Sequence, residues 1–303
     1  MKALVTGANG FIGTHLCIGL LEHGYTVFAI IRSETNLELK SLDNTNFHII
    51  RADLHNIESI NNTIDNVDIC FHFAWEGIRG ENLLEYNIQM KNVEYCIKLM
   101  YALKKLGCNR FIGAGTIGQD ELIYNTGEPI DDKQKIYRYA KDLCERLGKS
   151  IADDIGIEFF YPHITNTYGA GEQSDRFIIS VVKKLLYNRD VGVSEGKQIY
   201  DFVYIDDLVE AFIKIAEKGI RGRRYVIGSG NAKPLREWLA EMPSITNTDA
   251  KLIYGQYVFN GVYLPKETFD ITELTKDVGY DPQISFCEGI RKTVEWIREN
   301  ENR

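Results

Sequence analysis

Three glycines near the start of the chain have the spacing of a phosphate-binding turn. The segment Thr6-Gly7-Ala8-Asn9-Gly10-Phe11-Ile12-Gly13 follows the apolar run Ala3-Leu4-Val5 and precedes residues with helical apolar spacing. Such glycines allow a sharp turn, a close approach to a pyrophosphate and close packing of the helix on the strand. The N–H groups at the helix start then face the phosphates. The sequence therefore predicts a dinucleotide site that includes Gly7, Asn9, Gly10, Phe11, Ile12 and Gly13.

A tyrosine and a lysine four residues apart form the second chemical feature, in Tyr137-Arg138-Tyr139-Ala140-Lys141. This spacing puts Tyr137 and Lys141 on one face of a helix, whereas Tyr139 points elsewhere. A free tyrosine has a pKa of about 10, and a nearby ammonium group lowers that pKa because it favours the phenolate. A general acid or base works best with a pKa near the working pH. We therefore expect Tyr137 to exchange a proton with a substrate and Lys141 to lower the pKa of Tyr137.

The elements between the two motifs must bring them together. Short apolar strands are predicted at 27–31, 47–50, 69–73, 111–114 and 157–161, and they alternate with helices that include about Glu81 to Leu106 and Tyr137 to about Asp154. This alternation predicts an α/β fold with a Rossmann-type, doubly wound parallel sheet. After Pro162 the pattern is less regular, with helices expected at 177–186, 235–242 and 287–299.

We expect the chain to form two domains. Residues 1–165, together with about 200–230, are predicted to form the dinucleotide-binding domain. Residues 166–199 and 231–303 are predicted to form a smaller, mostly helical substrate-binding lobe.

Four segments together connect the chain to a known family. They are the G-x-x-G-x-x-G turn, the Tyr137/Lys141 pair, Asn166-Thr167-Tyr168-Gly169 and Asp201-Phe202-Val203-Tyr204-Ile205-Asp206-Asp207. With them the chain resembles the extended short-chain dehydrogenases/reductases, the NAD(P)-dependent nucleotide-sugar epimerases, dehydratases and reductases. Within that branch it resembles the 4-keto-sugar reductases of the abequose-synthase kind. The resemblance implies a nucleotide-diphosphate sugar as substrate and a homodimer.

The resemblance also implies roles for individual residues. Lys141 would bind the nicotinamide ribose, and Thr116 would polarise the substrate oxygen, although a strand-end threonine with a structural hydrogen bond is the alternative. It assigns Asp53, Leu54 and Ala74 to the cofactor, and Asn87, Asn166, Arg176 and Tyr200 to the substrate. Asn87 is also explained as an ordinary asparagine near a helix start.

Two positions depart from the family pattern for binding phosphates. Tyr200 stands where several relatives have an arginine, and the late arginine of the 4-epimerases is absent. The cations that could take over are Arg176, Arg223, Arg224 and Lys266, each of which is otherwise an ordinary solvated charge.

The end of the second strand indicates which cofactor is used. This strand ends in Ile30-Ile31-Arg32-Ser33. Enzymes that use NAD place an acid there, whereas an arginine accommodates the extra phosphate of NADP. We therefore expect Arg32 and Ser33 to favour NADP. The alternative is NAD, with Arg32 an exposed arginine at a strand end.

The reaction predicted first is hydride transfer to a nucleotide-linked 4-keto-6-deoxy sugar. A 4-epimerase would use the same residues and is the main alternative. The 4,6-dehydratases have Asp-Glu directly after the catalytic threonine, whereas here Asp120-Glu121 come later, so dehydration is disfavoured. A dinucleotide sensor without catalysis is also possible on this fold, but such sensors typically lack the Tyr/Lys pair.

Composition limits the partners, the metal sites and the cellular location that we expect. The 303-residue chain has a net charge of −8, so we expect neither nucleic acid nor an anionic membrane as a partner. Its six cysteines form no C-x-x-C pair and its histidines show no metal spacing, which predicts a reducing compartment and no metal site. No apolar run reaches membrane-spanning length, and a strand begins by residue 3, so we expect a cytoplasmic protein without a signal peptide.

Overall fold

The structure is a computed structural model that describes residues 1–32, 34, 36–124 and 134–300. Its strands are β1 (Lys2–Thr6), β2 (Thr26–Ile31), β3 (Phe47–Arg51), β4 (Ile69–His72), β5 (Arg110–Gly113), β6 (Gly115–Thr116), β7 (Glu158–Phe160), β8 (His163–Ile164), β9 (Asn166–Tyr168), β10 (Val191–Gly192), β11 (Ile199–Tyr200), β12 (Phe202–Tyr204), β13 (Val226–Ile227), β14 (Lys233–Pro234) and β15 (Leu252–Ile253). Its α-helices are α1 (Phe11–Glu22), α2 (Leu37–Lys40), α3 (Tyr86–Lys105), α4 (Gly118–Tyr124), α5 (Lys135–Ile155), α6 (Phe177–Leu186), α7 (Ile205–Lys218), α8 (Leu235–Ala240), α9 (Met242–Thr246), α10 (Thr272–Val278) and α11 (Phe286–Asn300). Three 3₁₀ helices cover Leu54–Asn62, Gly80–Leu83 and Lys266–Phe269.

A six-stranded sheet in the order β3-β2-β1-β4-β5-β7 forms the centre of the fold. All of its neighbouring strands run parallel. The strand order reverses between β1 and β4, and ligands of doubly wound sheets bind outside the carboxyl ends of the strands at such a point. The predicted α/β class with a Rossmann-type sheet is confirmed.

Helices cover both faces of this sheet. Successive side chains of a strand point to opposite faces, so each strand contributes to two cores. In β1, Ala3 and Val5 pack in the core that contains Leu16 of α1 and Phe212 of α7. Leu4 packs in a second core on the opposite face, whose helical members come from α3, α5 and the 3₁₀ helix Leu54–Asn62. The strands therefore read as continuous apolar runs, as expected for a sheet buried on both faces.

Two predicted helix boundaries were wrong. The helix predicted from Glu81 begins at Tyr86, because Gly80–Leu83 forms a 3₁₀ turn and Glu85 is extended, with ψ +94°. The helix predicted over 235–242 divides into α8 and α9. Pro243 explains this division, since proline has no N–H to continue a helix and is favoured in a first turn.

The chain after β7 adds short sheets and helices beside the carboxyl ends of the main sheet. Strand β8 pairs with β6 and β13, and β9 pairs with β12, all in parallel. Helices α6, α9 and α11 pack with these strands in one apolar core. The proposed division of the chain into two domains stays a prediction.

Candidate active site

The glycine turn has the geometry of a phosphate cradle. Gly7 has φ +67°, and a Cβ placed there would lie 2.7 Å from the Ala74 nitrogen. A Cβ on Gly13 would overlap the carbonyl oxygen of Gly7. Gly10 is the N-cap of α1, and none of the described side chains caps this helix. The turn therefore has no room for a side chain at Gly7 or Gly13, and it leaves the first N–H groups of α1, including those of Phe11 and Ile12, facing outward for an anion.

Side chains at the ends of β2 and β3 extend this edge of the sheet. Asn9 donates to the Glu34 carbonyl at 2.8 Å, which ties the turn to the segment after β2. Arg32 is 66% exposed and pairs with Glu76 at 2.8 Å. Asp53 accepts a hydrogen bond from the His55 nitrogen at 2.9 Å, and the hydrogen bonds from His55 lower the pKa of its carboxyl group.

Three further residues were expected at the cofactor, and the structure describes two of them. Leu54 follows Asp53 and is half-buried. The Ala74 nitrogen donates to the Thr6 hydroxyl at 3.3 Å, directly beside Gly7. Ser33 lies outside the described residues. The described members thus lie after β1, β2, β3 and β4, which are neighbours in the sheet.

A cavity of ≈ 550 Å³ lies beside this edge, and two of the predicted catalytic residues line it. Thr116 at the end of β6 and Tyr137 in the first turn of α5 both line it. Gly118 N donates to the Thr116 hydroxyl at 3.2 Å. The Thr116 oxygen is thereby occupied as an acceptor, so its proton is available to an oxygen in the cavity.

Lys141 lies in an aromatic box that the sequence analysis missed. Its ammonium nitrogen is 3.7 Å from the ring centre of Trp75, and the rings of Tyr137 and Tyr161 lie at 5.7 Å and 6.0 Å. It donates to the Ala114 carbonyl at 3.0 Å. Burial lowers the pKa of Lys141 to about 8. The facing ring electrons favour the charged form. Trp75 lies three residues after β4, and no local sequence pattern marks it for this contact.

The pKa of Tyr137 shifts opposite to the expectation from sequence. Burial raises this pKa to about 12, and the charges that oppose the shift are those of Arg176 and Arg138. The phenol therefore holds its proton at neutral pH in the protein without ligands. Burial thus outweighs the nearby positive charges of the protein itself. The lowering expected from sequence also relied on the positive charge of an oxidised nicotinamide and stays a prediction for the complex.

A buried network supports the segment around Thr116. Gln119 accepts from the Thr116 nitrogen at 2.9 Å and donates to Glu145 at 2.7 Å. His163 contacts Glu145 and Asp120, both at 2.9 Å. Burial lowers the pKa of His163, but hydrogen bonds to the two carboxylates outweigh it, so the net pKa is raised. This network joins α4, α5 and β8 behind the cavity.

Three of the four predicted substrate residues line the cavity with Thr116 and Tyr137: Asn166, Arg176 and Tyr200. Burial raises the pKa of Tyr200 to about 12. Asn87 lies exposed in the first turn of α3 and is not part of the cavity wall. Asn92, one turn further on, is the buried asparagine of this helix, and it accepts from Glu76 N at 2.7 Å.

The other cations considered for phosphates lie elsewhere. Arg223 pairs with Glu273 and Asp277, and Arg224 pairs with Asp120. Lys266 lines a separate cavity of ≈ 570 Å³.

An ion pair in the cavity was also missed by the sequence analysis. Arg138 Nη1 lies 2.9 Å from Glu121 Oε2, and both residues line the cavity. From the sequence, Glu121 was interpreted only as part of a displaced dehydratase motif, and Arg138 only as a residue between Tyr137 and Lys141.

Among the residues that the structure describes, every helix is too short or too polar to span a membrane. Within the same residues, no cluster of three or more His, Cys, Asp or Glu side chains could hold a metal ion.

Comparison with known proteins agrees with this geometry. Residues 3–228 match the NAD dependent epimerase/dehydratase family. The chain is 26% identical over 298 residues to CDP-abequose synthase of Salmonella muenchen, covering 97% of each. It is 26% identical over 330 residues to UDP-N-acetyl-alpha-D-glucosaminuronate decarboxylase of Bacillus cytotoxicus, covering 99% of each.

A solved structure has the same fold. UDP-glucuronic acid 4-epimerase from Bacillus cereus, in complex with UDP-glucuronic acid and NAD, aligns with a TM-score of 0.80 at 23% identity, covering 99% of each chain. The resemblance inferred from the motifs is confirmed, because the family match extends over most of the chain. The protein is an enzyme, and it belongs to the NAD dependent epimerase/dehydratase family.

Proposed function

We propose that this enzyme reduces a nucleotide-linked 4-keto-6-deoxyhexose by hydride transfer from a nicotinamide cofactor. The observation that carries the proposal is that Tyr137 and Thr116 line one cavity, and that the Tyr137 ring lies 6.1 Å from the ring of Trp75, whose neighbour Ala74 packs against Gly7 of the glycine turn. The similarity to CDP-abequose synthase over 97% of both proteins supports a nucleotide sugar as the substrate.

The glycine turn fits a dinucleotide, since the absence of side chains at Gly7 and Gly13 lets strand, turn and helix pack closely, and the first N–H groups of α1 are left for a pyrophosphate. When bound, the reduced nicotinamide supplies the hydride. Thr116 donates a hydrogen bond to the ketone oxygen, and Tyr137 donates its proton to that oxygen as negative charge develops. Lys141, charged and buried beside the tyrosine, stabilises the phenolate that remains.

The main alternative is a 4-epimerase, which would oxidise the sugar and reduce it again on its other face. One experiment distinguishes the two reactions. The protein is incubated with NADPH and a 4-keto-6-deoxy nucleotide sugar, and separately with nucleotide hexoses and no added reductant. Stoichiometric NADPH consumption in the first arm supports the reductase. No consumption there, with interconversion of C4 epimers in the second arm, would establish the epimerase instead.

We further propose NADP as the preferred cofactor. Arg32 supports this, because it directly follows β2 and has an exposed guanidinium group that could reach a ribose phosphate. Its ion pair with Glu76 must open for that contact. The test is to measure Kd for both cofactors in the parent and in Arg32→Ala. Tighter binding of NAD than NADP, unchanged by the substitution, would contradict the proposal.

We also propose that the enzyme is a homodimer that works in the cytoplasm. Helices α3 and α5 pack against each other and present apolar side chains to solvent, among them Met90 and Tyr101 on α3 and Leu143 and Leu147 on α5. A large exposed apolar patch indicates an interaction surface. The cytoplasmic location is supported by six free cysteines, five of which are buried as thiols.

A further inference from the structure

The buried network behind the cavity is centred on a histidine that the proposed reaction does not use. His163 lies in β8, which pairs in parallel with β6, the strand that ends in Thr116. Its side chain is only 6% exposed. A carboxylate oxygen lies at each ring nitrogen, that of Asp120 at Nδ1 and that of Glu145 at Nε2, both at 2.9 Å. The ring is thus held between acidic side chains from two different helices.

This arrangement favours one charge state of the ring. An ionised carboxylate can only accept hydrogen bonds, so both ring nitrogens of His163 must donate, and only the imidazolium form has a proton on each. Arg224 also approaches Nδ1, at 3.1 Å, and pairs with Asp120. With the imidazolium, two positive charges face two negative ones. A neutral ring would leave a buried carboxylate short of a counter-charge, which is costly. The net rise in the pKa of His163 has the same direction.

The charged ring holds Glu145 where this carboxylate can orient Gln119. Glu145 Oε2 accepts from His163 Nε2 and also from Gln119 Nε2, the latter at 2.7 Å. Because the amide nitrogen of Gln119 faces Glu145, its amide oxygen faces the other way and accepts from the Thr116 nitrogen at 2.9 Å. A Cβ on Gly115 would lie 2.9 Å from His163 Cδ2 and 3.1 Å from Gln119 Oε1. Both side chains therefore pack on the backbone directly before Thr116.

The backbone at Thr116 decides where its hydroxyl group can donate. Gly118 N donates to that hydroxyl at 3.2 Å, so the direction of the remaining proton depends on how the backbone is held. Displacing a catalytic group by about 1 Å can reduce the rate about 10²-fold. Resting on the proposed function, we propose that His163 is a charged positioning residue that acts on Thr116 through the two side chains between them.

The charge of His163 can be measured without a substrate. Long-range ¹H–¹⁵N spectra of protein labelled with ¹⁵N-histidine distinguish an imidazolium from the neutral tautomers. The signals of this ring are those that His163→Gln removes and that Glu145→Gln shifts. We expect an imidazolium at about pH 7, where a histidine with the ordinary pKa of about 6.5 is mostly neutral. A neutral His163 at this pH would overturn the inference.

The positioning role is tested by a double-mutant cycle with Thr116→Val, which replaces the hydroxyl by a methyl group. We expect His163→Gln to lower kcat for NADPH oxidation about tenfold to a hundredfold and to change KM by less than about threefold. In the Thr116→Val background the same substitution should lower kcat by less than about twofold, since the hydroxyl is no longer there to be positioned. Equal losses in both backgrounds would show a merely structural role and overturn the inference.

Two further variants separate positioning from damage. Gln119→Met breaks the same connection one step nearer to Thr116 and removes no charge. It should reproduce the kcat loss of His163→Gln and lose its effect in Thr116→Val, so it decides the case if His163→Gln does not fold. Asp153→Asn is the control, because Asp153 is also a carboxylate of α5 but forms an exposed ion pair with Arg221 at 2.6 Å. It should retain the kcat of the parent, and the melting temperature and NADPH affinity verify that each variant folds.

The outcomes also separate this inference from the proposed function. A parent that turns over no nucleotide sugar would contradict the proposed function and the positioning role with it, whereas the spectra would still decide the charge of His163. Turnover by the parent together with a neutral His163, or with parent-like kcat in a folded Gln119→Met, would overturn the inference alone.

Discussion

The phenol of Tyr137 is buried, and burial raises its pKa to about 12, which favours the protonated form near neutral pH. That state suits reduction, in which the side chain must give a proton to a developing alkoxide. Once Tyr137 has donated its proton, the buried phenolate needs compensating positive charge nearby. Lys141 supplies part of it, and a bound oxidised nicotinamide would add more.

Tyr137→Phe should therefore remove turnover and leave cofactor binding nearly intact. We expect a loss of about 10²–10⁴-fold in kcat, the usual contribution of a general acid. NADPH oxidation with a 4-keto nucleotide sugar measures turnover, and titration of NADPH measures cofactor affinity. Activity within a factor of two of the parent would show that Tyr137 is not the proton donor.

The charge of Lys141 should make the catalytic efficiency depend on pH. Burial lowers its pKa to about 8, so the ammonium form is present below that pH and disappears above it. We expect kcat/KM to fall as the pH rises through about 8. Trp75→Leu removes the ring at 3.7 Å from the ammonium nitrogen and should move this fall to lower pH by up to about one unit.

Trp75→Phe retains an aromatic ring and should shift the profile less. A pH–rate profile of the parent and both variants, with cofactor saturation verified at each pH, measures the effect. A shift to higher pH in Trp75→Leu would mean that water entering the site outweighs the lost ring contact.

Local motifs predicted the individual residues of the site better than their surroundings. Tyr137, Lys141 and Thr116 could be selected because each belongs to a short pattern with a fixed offset. Trp75 and Glu121 could not, because they reach Lys141 and Arg138 only through packing between separate elements. The raised pKa of Tyr137 in the protein alone was not predictable for the same reason, since burial is a property of the folded chain.

At the scale of elements, the contact between β1 and α1 is the tightest constraint on the cofactor end of the site. A Cβ on Gly13 would overlap the Gly7 carbonyl oxygen and lie 2.8 Å from Ala8 Cα, so the helix would have to move away from the turn. Backbone atoms cannot rotate aside as a side chain does. The geometry of the phosphate cradle would change with the helix.

Gly13→Ala should weaken NADPH binding by at least tenfold and lower the free energy of unfolding by about 1–3 kcal/mol. Gly19→Ala is the matched control, because Gly19 lies further along α1, outside the turn, and its added Cβ would meet only side-chain atoms of Val209 and Ile213, which can move aside. Titration of NADPH and urea unfolding measure both effects. Equal losses in the two variants would contradict the role assigned to the close approach at Gly13.

Element boundaries were predictable where the apolar pattern was strong. α6 was predicted over the range it occupies, Phe177–Leu186. The start of α3 was not, because no proline between Glu81 and Glu85 marks the boundary and the 3₁₀ turn there is held by tertiary contacts. Gln89, for example, donates to the carbonyls of Gly77 and Asn82, both at 2.9 Å.

At the scale of the whole molecule, the cavity is assembled from distant parts of the chain. Thr116 and Tyr137 come from the main sheet region, Asn166 and Tyr200 from the short strands that follow it, and Phe269 from near the C-terminus. The motifs predicted each part, but their meeting in one cavity depends on the pairing of β6 with β8 and of β9 with β12. That pairing is long-range and leaves no local signal.

The outer face of α3 and α5 leads to a prediction about assembly. Tyr139, Leu143 and Leu147 are spaced by four residues along α5, are 51%, 38% and 39% exposed, and so form one apolar stripe. Stable dimers bury roughly 1,200–2,000 Å², and a second copy of the same two helices would cover the stripe symmetrically.

Leu143→Lys and Leu147→Lys should each convert the proposed homodimer to a monomer, because each places a charge in the middle of an apolar interface. Ile220→Lys is the control: Ile220 is similarly exposed, at 46%, but follows α7 and should leave assembly unchanged. Light scattering after size-exclusion chromatography gives the mass. We expect twice the 34.6 kDa of one chain for the parent and the control, and 34.6 kDa for the two variants. A parent that elutes at 34.6 kDa at micromolar concentration would show that this face is not a dimer interface.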